Sequence, residues 1–259
     1  MIKPTFLKAQ MAKAAAGRTP PFLRRLTAGV VDRVATAHYG QAYAMKCLQT
    51  AHAVGEVLKR FGVGSQIWLG AFCAAEVFET SGFQGWGGFW GQDHHAWLYT
   101  ANHELVDLSV AHMHRHPRAS RKDGIPMPPV WWDDVSSWPP VLRYLPDSPA
   151  KIGFPDPRDA ADLKMFMSLV MVELDRVLAE DEVDDVTFGP ILSGLDAMDA
   201  LTERGHPWLV RAIEFQDRGA RFPLWIEQRH QELLAAWAGG YVAPSRLSQV
   251  DGLIGPAGA

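Results

Sequence analysis

Three residues of this chain carry side chains that, brought together, can move a proton and attack a carbonyl: Cys47, His95 and Asp107. Cys47 opens a helical pattern, and a thiol at a helix start feels the positive end of the helix dipole, which favours the reactive thiolate. His95 opens a short run of alternating apolar and polar residues, His95 to Thr100. Asp107 falls near the end of the next such run, Glu104 to Leu108, across an Ala101-Asn102-His103 turn. Antiparallel pairing across a short turn brings the start of one strand beside the end of the next. The pattern therefore predicts that His95 and Asp107 are neighbours although twelve positions separate them. An imidazole held by a carboxylate is a base fixed in one tautomer. The thiol is the nucleophile that such a base would serve.

Each of these residues has a plainer reading. A cysteine on a helix is commonly a small buried hydrophobe. His94 competes with His95, but strand alternation aims only one of them at the cysteine, and the position before Ala96-Trp97 favours His95. The second cysteine, Cys73, shares a strand face with Ile67, Leu69 and Ala71 and reads as core. The competing chemistry is a metal site. His112, His114 and His116 alternate along a possible strand extension, which would put three imidazoles on one face, but Arg115 and Pro117 give the stretch the look of an exposed loop.

The elements that must position the site follow from periodicity. Residues 22 to 38 repeat Leu23, Leu26, Val30 and Val34 at helical spacing, and residues 1 to 20 show only weak helical preference. Gln41 to Lys46 leads into a helix over Cys47 to Phe61, whose last turn carries Lys59-Arg60 and which Gly62 ends. Residues 65 to 73 read as a buried strand. Ser81 to Asp93 reads as a loop in which Gly82, Gly85, Gly87, Gly88 and Gly91 alternate with aromatics, and Trp86, Trp90 and Trp97 are the candidate walls of a substrate groove. Pro117 to Pro155 is rich in Pro, Asp and Ser, with short strands expected at Val130 to Trp132 and Val141 to Leu145. From Asp156-Pro157, an N-cap followed by proline, a helix runs to about Glu180. An acidic turn follows, then helices over Pro190 to Arg204, Pro207 to Arg218 and Pro223 to Ala238.

Composition narrows the function class. The chain is 47% hydrophobic and 21% charged, as a water-soluble folded protein is. A net charge of −4 argues against nucleic acid as a partner, because such binders usually carry a basic excess. No run approaches membrane-spanning length, and the first ten residues hold no apolar leader, so the expectation is a cytoplasmic protein with no membrane partner. Two cysteines make no disulfide framework and suit a reducing compartment.

The ordered set resembles the transglutaminase-like superfamily within the papain-like cysteine fold. The resemblance covers roughly residues 40 to 110: Cys47 at a helix start, Val57-Leu58-Lys59-Arg60-Phe61-Gly62 about fifteen residues on, His95-Ala96-Trp97-Leu98 in a strand, and Val106-Asp107-Leu108 closing the next. Met45-Lys46 and Leu48-Gln49 stand where the family often has acidic residues or glycine beside its cysteine. The resemblance implies an α+β fold. Residues 1–155 would form a papain/transglutaminase-like core with an N-terminal helix, the cysteine helix packed on an antiparallel sheet, and residues 156–259 a mostly helical annex packed on the core. It implies a thiol-dependent hydrolase or acyltransferase on an amide, isopeptide or thioester bond, with a peptide, protein or small acyl compound as substrate, and no cofactor. Gln41, six residues before the cysteine, resembles the papain-type oxyanion glutamine, and the amide of Cys47 is a second candidate donor. The alternatives are an inactive binding module with an aromatic groove on the same fold, and a His-cluster metal protein.

Overall fold

Among the described residues a seven-stranded sheet carries helices on both of its faces. The computed structural model describes residues 2–78, 82–89, 94–116, 124–128, 130–134, 142–150, 152–153, 156–180, 191–192, 194–219 and 221–239. The strands are β1 (Ser65–Phe78), β2 (Gly82–Phe89), β3 (His95–Thr100), β4 (Glu104–Asp107), β5 (Val130–Asp134), β6 (Leu142–Pro149) and β7 (Ile191–Leu192). Their order is β2-β1-β3-β4-β5-β7, with β6 also on β1. All pairings are antiparallel except β5 with β7. β1 pairs with β3 along residues 65–70 and with β2 along residues 72–78, while β6 spans residues 68–74. One long strand thus carries β3 and β2 end to end on one edge and β6 on the other.

The helices are α1 (Pro4–Ala15), α2 (Pro21–Tyr39), α3 (Cys47–Arg60), α4 (Pro157–Glu180), α5 (Gly194–Glu203), α6 (Pro207–Asp217) and α7 (Leu224–Ala238), with 3-10 helices at Gly40–Met45 and Ser109–Arg115. On one face of the sheet α2, α3 and α4 close over Ile67, Ala96, Leu98, Val106 and Trp132. Phe166, Val170, Leu174 and Val177 of α4 are fully buried there. Each such side chain contributes roughly 1.5–3 kcal/mol of burial. On the other face, α5 and α6 bring Met198, Leu201, Trp208 and Leu209 against Trp68, Phe72, Trp97, Tyr99 and Tyr144. α7 packs Ile226 and Leu233 on Cys73 and Leu145.

Local signals explain the ends of these elements. The N–H of Gly62, in the left-handed region at φ 82°, reaches Lys59 O, and Val63 N–H returns to Leu58 O, so the α3 carbonyls are satisfied as in a glycine-terminated helix. Asp156 caps α4 by accepting the Arg158 N–H at 2.8 Å. In the β3–β4 turn His103 sits at φ 59°, the left-handed position of a three-residue hairpin loop. Thr100 Oγ1 accepts the amides of Asn102 and Glu104, both at 3.2 Å.

Three expectations need correction. Residues 82–89 form a strand rather than loop, because the glycine-rich run lies along β1, with Gly87 opposite Ala74 and Gly85 opposite Glu76. The helical preference of the first residues is met, by contrast, in α1, which ends before Gly17. Ile191-Leu192 pairs with β5, so the helix expected from Pro190 starts at Gly194. The histidine stretch is not a strand: Ser109–Arg115 is a 3-10 helix, and His116 follows it with extended backbone. With three residues per turn, side chains two apart point in different directions, so His112 and His114 do not share a face. Among the described residues no group of three or more His, Cys, Asp or Glu side chains is placed to hold a metal. Also among them, no helix is long and apolar enough to cross a membrane. The acidic turn at 181–185 and the chain beyond 239 lie outside the described residues.

Candidate active site

Cys47 is the first residue of α3, and Lys46 before it offers no side-chain cap. The positive end of the helix dipole is therefore left to the thiol. The side chain is half-buried. It is hydrogen-bonded to His95 and takes a further hydrogen bond from the Ala96 backbone N–H. Burial alone would push the thiol up, but the bond to His95, the imidazole's charge and the Ala96 amide together hold it below its ordinary value.

His95 opens β3 and is almost wholly buried. Leu98 lies opposite Val106 and Tyr99 opposite Leu105 in the β3–β4 ladder. Continuing that register puts Trp97 opposite Asp107. His95, two residues earlier on the same face, is then the diagonal neighbour of Asp107, within reach of a long side chain. The ring nitrogen Nε2 lies 2.7 Å from Asp107 Oδ2. An ionised carboxylate only accepts, so Nε2 carries the proton, and Nδ1 is the nitrogen left to exchange a proton with the thiol. Burial alone would lower the imidazole, but the Asp107 charge, the hydrogen bond to it and the bond to Cys47 raise it to about 10.

Asp107 is held from four directions. Its Oδ2 accepts from His95 Nε2 and from the Tyr144 hydroxyl at 2.8 Å. Its Oδ1 accepts from the Ser109 amide at 3.0 Å and the Ser109 hydroxyl at 2.8 Å. Burial would raise the carboxyl, but His95 and then the Tyr144 and Ser109 donors outweigh it and leave the group below its ordinary value. Phe72, Trp97 and Tyr144 form an aromatic floor under this pair: the His95 ring centroid is 5.3 Å from that of Phe72, 6.0 Å from Trp97 and 6.3 Å from Tyr144. Such surroundings exclude water and strengthen the ionic interactions above them.

Further residues frame the site. Tyr43, in the 3-10 helix before Cys47, is buried, donates to Asp32 Oδ1 at 3.0 Å and stacks on His112 with ring centroids 4.0 Å apart. Burial pulls His116 below its ordinary value, and the charge of His95 pulls it further. Of the histidine cluster, His116 thus feels the charge of His95 and His112 covers Tyr43.

The remaining candidate residues fare differently. Gln41 is exposed on the 3-10 helix that leads to Cys47. Trp97 is 0% exposed, locked between Tyr99 and Tyr144, so it has no face to offer a substrate and acts as floor rather than groove wall. The backbone of Trp86 lies in β2 opposite Ala75, but its side chain and the whole of Trp90 lie outside the described residues. His94 is exposed. Cys73 is buried, and its thiol is pushed up to about 12, chiefly by burial, as suits an inert core cysteine. Tyr144 and Ser109 were not anticipated. The signal for Ser109 was local: a serine two residues after an aspartate is placed to bond its side chain. Tyr144 had no local signal, because a strand far along the sequence delivers it.

The arrangement is a thiol, a base and an orienting acid in hydrogen-bonded sequence, with the helix dipole behind the thiol. Chemically it can hold a thiolate–imidazolium pair and pass a proton between a sulfur and a leaving group. No family model, curated protein or solved structure matches this chain.

Proposed function

We propose that this chain is a cysteine hydrolase or acyltransferase that acts on an amide, isopeptide or thioester bond through Cys47, His95 and Asp107. The observation that supports it is the unbroken hydrogen-bonded chain from the Cys47 thiol through His95 to Asp107. The likeness of residues 40 to 110 to the transglutaminase-like pattern points the same way, and the papain-like core belongs to this proposal. In this reading Cys47 Sγ attacks the acyl carbonyl, forming an S–C bond. The imidazolium gives its proton to the departing group as the old bond breaks. His95 then takes a proton from water or an amine, which attacks the acyl-enzyme and frees the thiolate. Asp107 keeps the imidazole oriented and offsets its charge. The Cys47 amide at the helix start, with Gln41 as a second donor if it turns inward on substrate binding, would receive the developing oxyanion. The substrate would be a peptide, protein or small acyl compound, met in a reducing cytoplasm where a free thiol persists.

The test is to incubate the protein with an aryl thioester and look for an acyl adduct by peptide mass spectrometry. An adduct on Cys47 that turns over in wild type, and none in Cys47→Ala, is expected. No adduct on Cys47 with any aryl ester or thioester tried would overturn the reading and favour a binding module.

A further inference from the structure

We propose that Tyr144 is a positioning residue of this site, an inference that rests on the thiol reading above: its hydroxyl donates to the same Asp107 oxygen that holds His95, fixing where that oxygen points and how much negative charge it shows the imidazole. Asp107 Oδ2 receives His95 Nε2 at 2.7 Å and the Tyr144 hydroxyl at 2.8 Å, while Oδ1 receives both Ser109 donors. Four donors fill the lone-pair sites of a carboxylate, so it cannot rotate without breaking bonds.

The placement of the phenol argues against simple core filling. Tyr144 is 0% exposed, and its ring packs edge-on against Phe72 at 4.8 Å and Trp97 at 5.2 Å, contacts that a phenylalanine would make equally well. The hydroxyl therefore adds nothing to the apolar packing, and a phenol oxygen buried that deeply is costly unless it finds a strong acceptor. It reaches a carboxylate 37 positions away in sequence. The strand that brings it, β6, pairs with β1 so that Tyr144 lies opposite Phe72 on the face that carries Trp97 and His95. The nearby phenol of Tyr43 is committed elsewhere, to Asp32.

The groups that face the His95–Asp107 pair are Cys47 from α3, Ser109 from the second 3-10 helix and His116 just after it, Tyr144 from β6, and the buried phenol of Tyr43; the phenol of Tyr99 acts on Tyr144. Among these the Tyr144 hydroxyl is the donor that shares an oxygen with His95. Removing it leaves three donors on Asp107, enough to keep it ionised, but more of the negative charge then faces His95 and, behind it, Cys47. The imidazolium is held more tightly and the thiolate less favoured. Both protonation steps of the thiolate–imidazolium pair should move to higher pH.

The experiment measures the rate of Cys47 alkylation by iodoacetamide against pH in wild type, His95→Ala and Tyr144→Phe, with unfolding monitored for each. Wild type should alkylate below neutral pH and His95→Ala should not. Tyr144→Phe should keep the acidic reactivity with its profile displaced upward by about half to one pH unit, a part of the roughly one to two units that a hydrogen bond to a charged group is worth, because the thiol feels Asp107 only through His95. A second variant carrying 3-fluorotyrosine at 144, a stronger donor of nearly the same shape, should displace the profile downward. A Tyr144→Phe profile that is unmoved, or lowered in rate at every pH without displacement, would overturn the proposal while leaving the thiol reading intact. If wild type itself shows no alkylation below neutral pH, or shows it equally in His95→Ala, the thiol reading fails first.

Discussion

His95 Nε2 stands 2.7 Å from Asp107 Oδ2, and the β3–β4 hairpin register makes this so: Leu98 opposite Val106 carries His95 to the diagonal of Asp107. The consequence is an imidazole held in one tautomer. Asp107→Asn presents an amide where the structure has an acceptor for Nε2–H, and its N–H2 can force the other tautomer. Acyl transfer should fall by about two to four orders of magnitude, less than on removing His95. Steady-state kinetics of the two variants on one thioester check the order of effects.

The same carboxylate sets an acid limit on stability. Asp107 has a folded pKa below its ordinary 3.8, so its contribution is present above that value and is lost as pH falls through the folded pKa. His95 behaves oppositely: raised from 6.5 to about 10, it contributes fully below 6.5 and less as pH rises through 10. In the window where His95 gains a proton and Cys47 gives one up, the two changes offset, and the pair adds no net pH dependence. Denaturant midpoints of wild type should therefore fall on acidification below about pH 4 more steeply than those of Asp107→Asn. Parallel acid limbs for the two proteins would contradict this assignment.

Gly70 is the point where the sheet tolerates nothing larger. It pairs with His95 on one side and Pro146 on the other, where the β6 register shifts. A Cβ there would lie 2.1 Å from Leu145 O and 2.7 Å from Trp97 Cη2. The first contact is with backbone and cannot be relieved by a rotamer change. Gly70→Ala should cost about 3 kcal/mol or more and lower the alkylation rate of Cys47 by moving His95 and Tyr144 apart. Thermal unfolding and iodoacetamide kinetics on the same sample measure both effects.

A second buried charge pair ties the hairpin to α2. Arg24 Nη2 lies 2.7 Å from Glu104 Oε1, and Glu104 also accepts from the Thr19 amide and Trp132 Nε1. Arg24 also donates to the carbonyls of Thr19 and Trp132. Removing one partner leaves the other charge buried and unpaired. Arg24→Ala should cost about 3–5 kcal/mol, while replacing both residues with apolar side chains should cost less than the sum of the single changes. A double-mutant cycle by urea unfolding reads the coupling.

The sequence was legible where the signal was local. The helix beginning at Cys47, its Gly62 stop, the His95 and Glu104 strands and the Asp156-Pro157 helix start each follow from a residue or two of cap or turn chemistry. It was not legible where pairing partners are distant. Glycines at 82–88 read as loop until β1 supplies the ladder they occupy. Trp97 reads as a groove residue by its neighbours but is buried by Tyr144, 47 positions on, and by α6 on the same face. The histidines at 112, 114 and 116 alternate in sequence, but alternation means one face only in a strand, and here the backbone is a 3-10 helix that ends at Arg115.

The most direct test of the central claim is the ultraviolet titration of the Cys47 thiolate, taken as the difference between wild type and Cys47→Ala so that Cys73 cancels. The account predicts thiolate absorbance already present below neutral pH in wild type and absent there in His95→Ala. Absorbance that rises only near the ordinary cysteine value of 9.0, alike in both proteins, would contradict it.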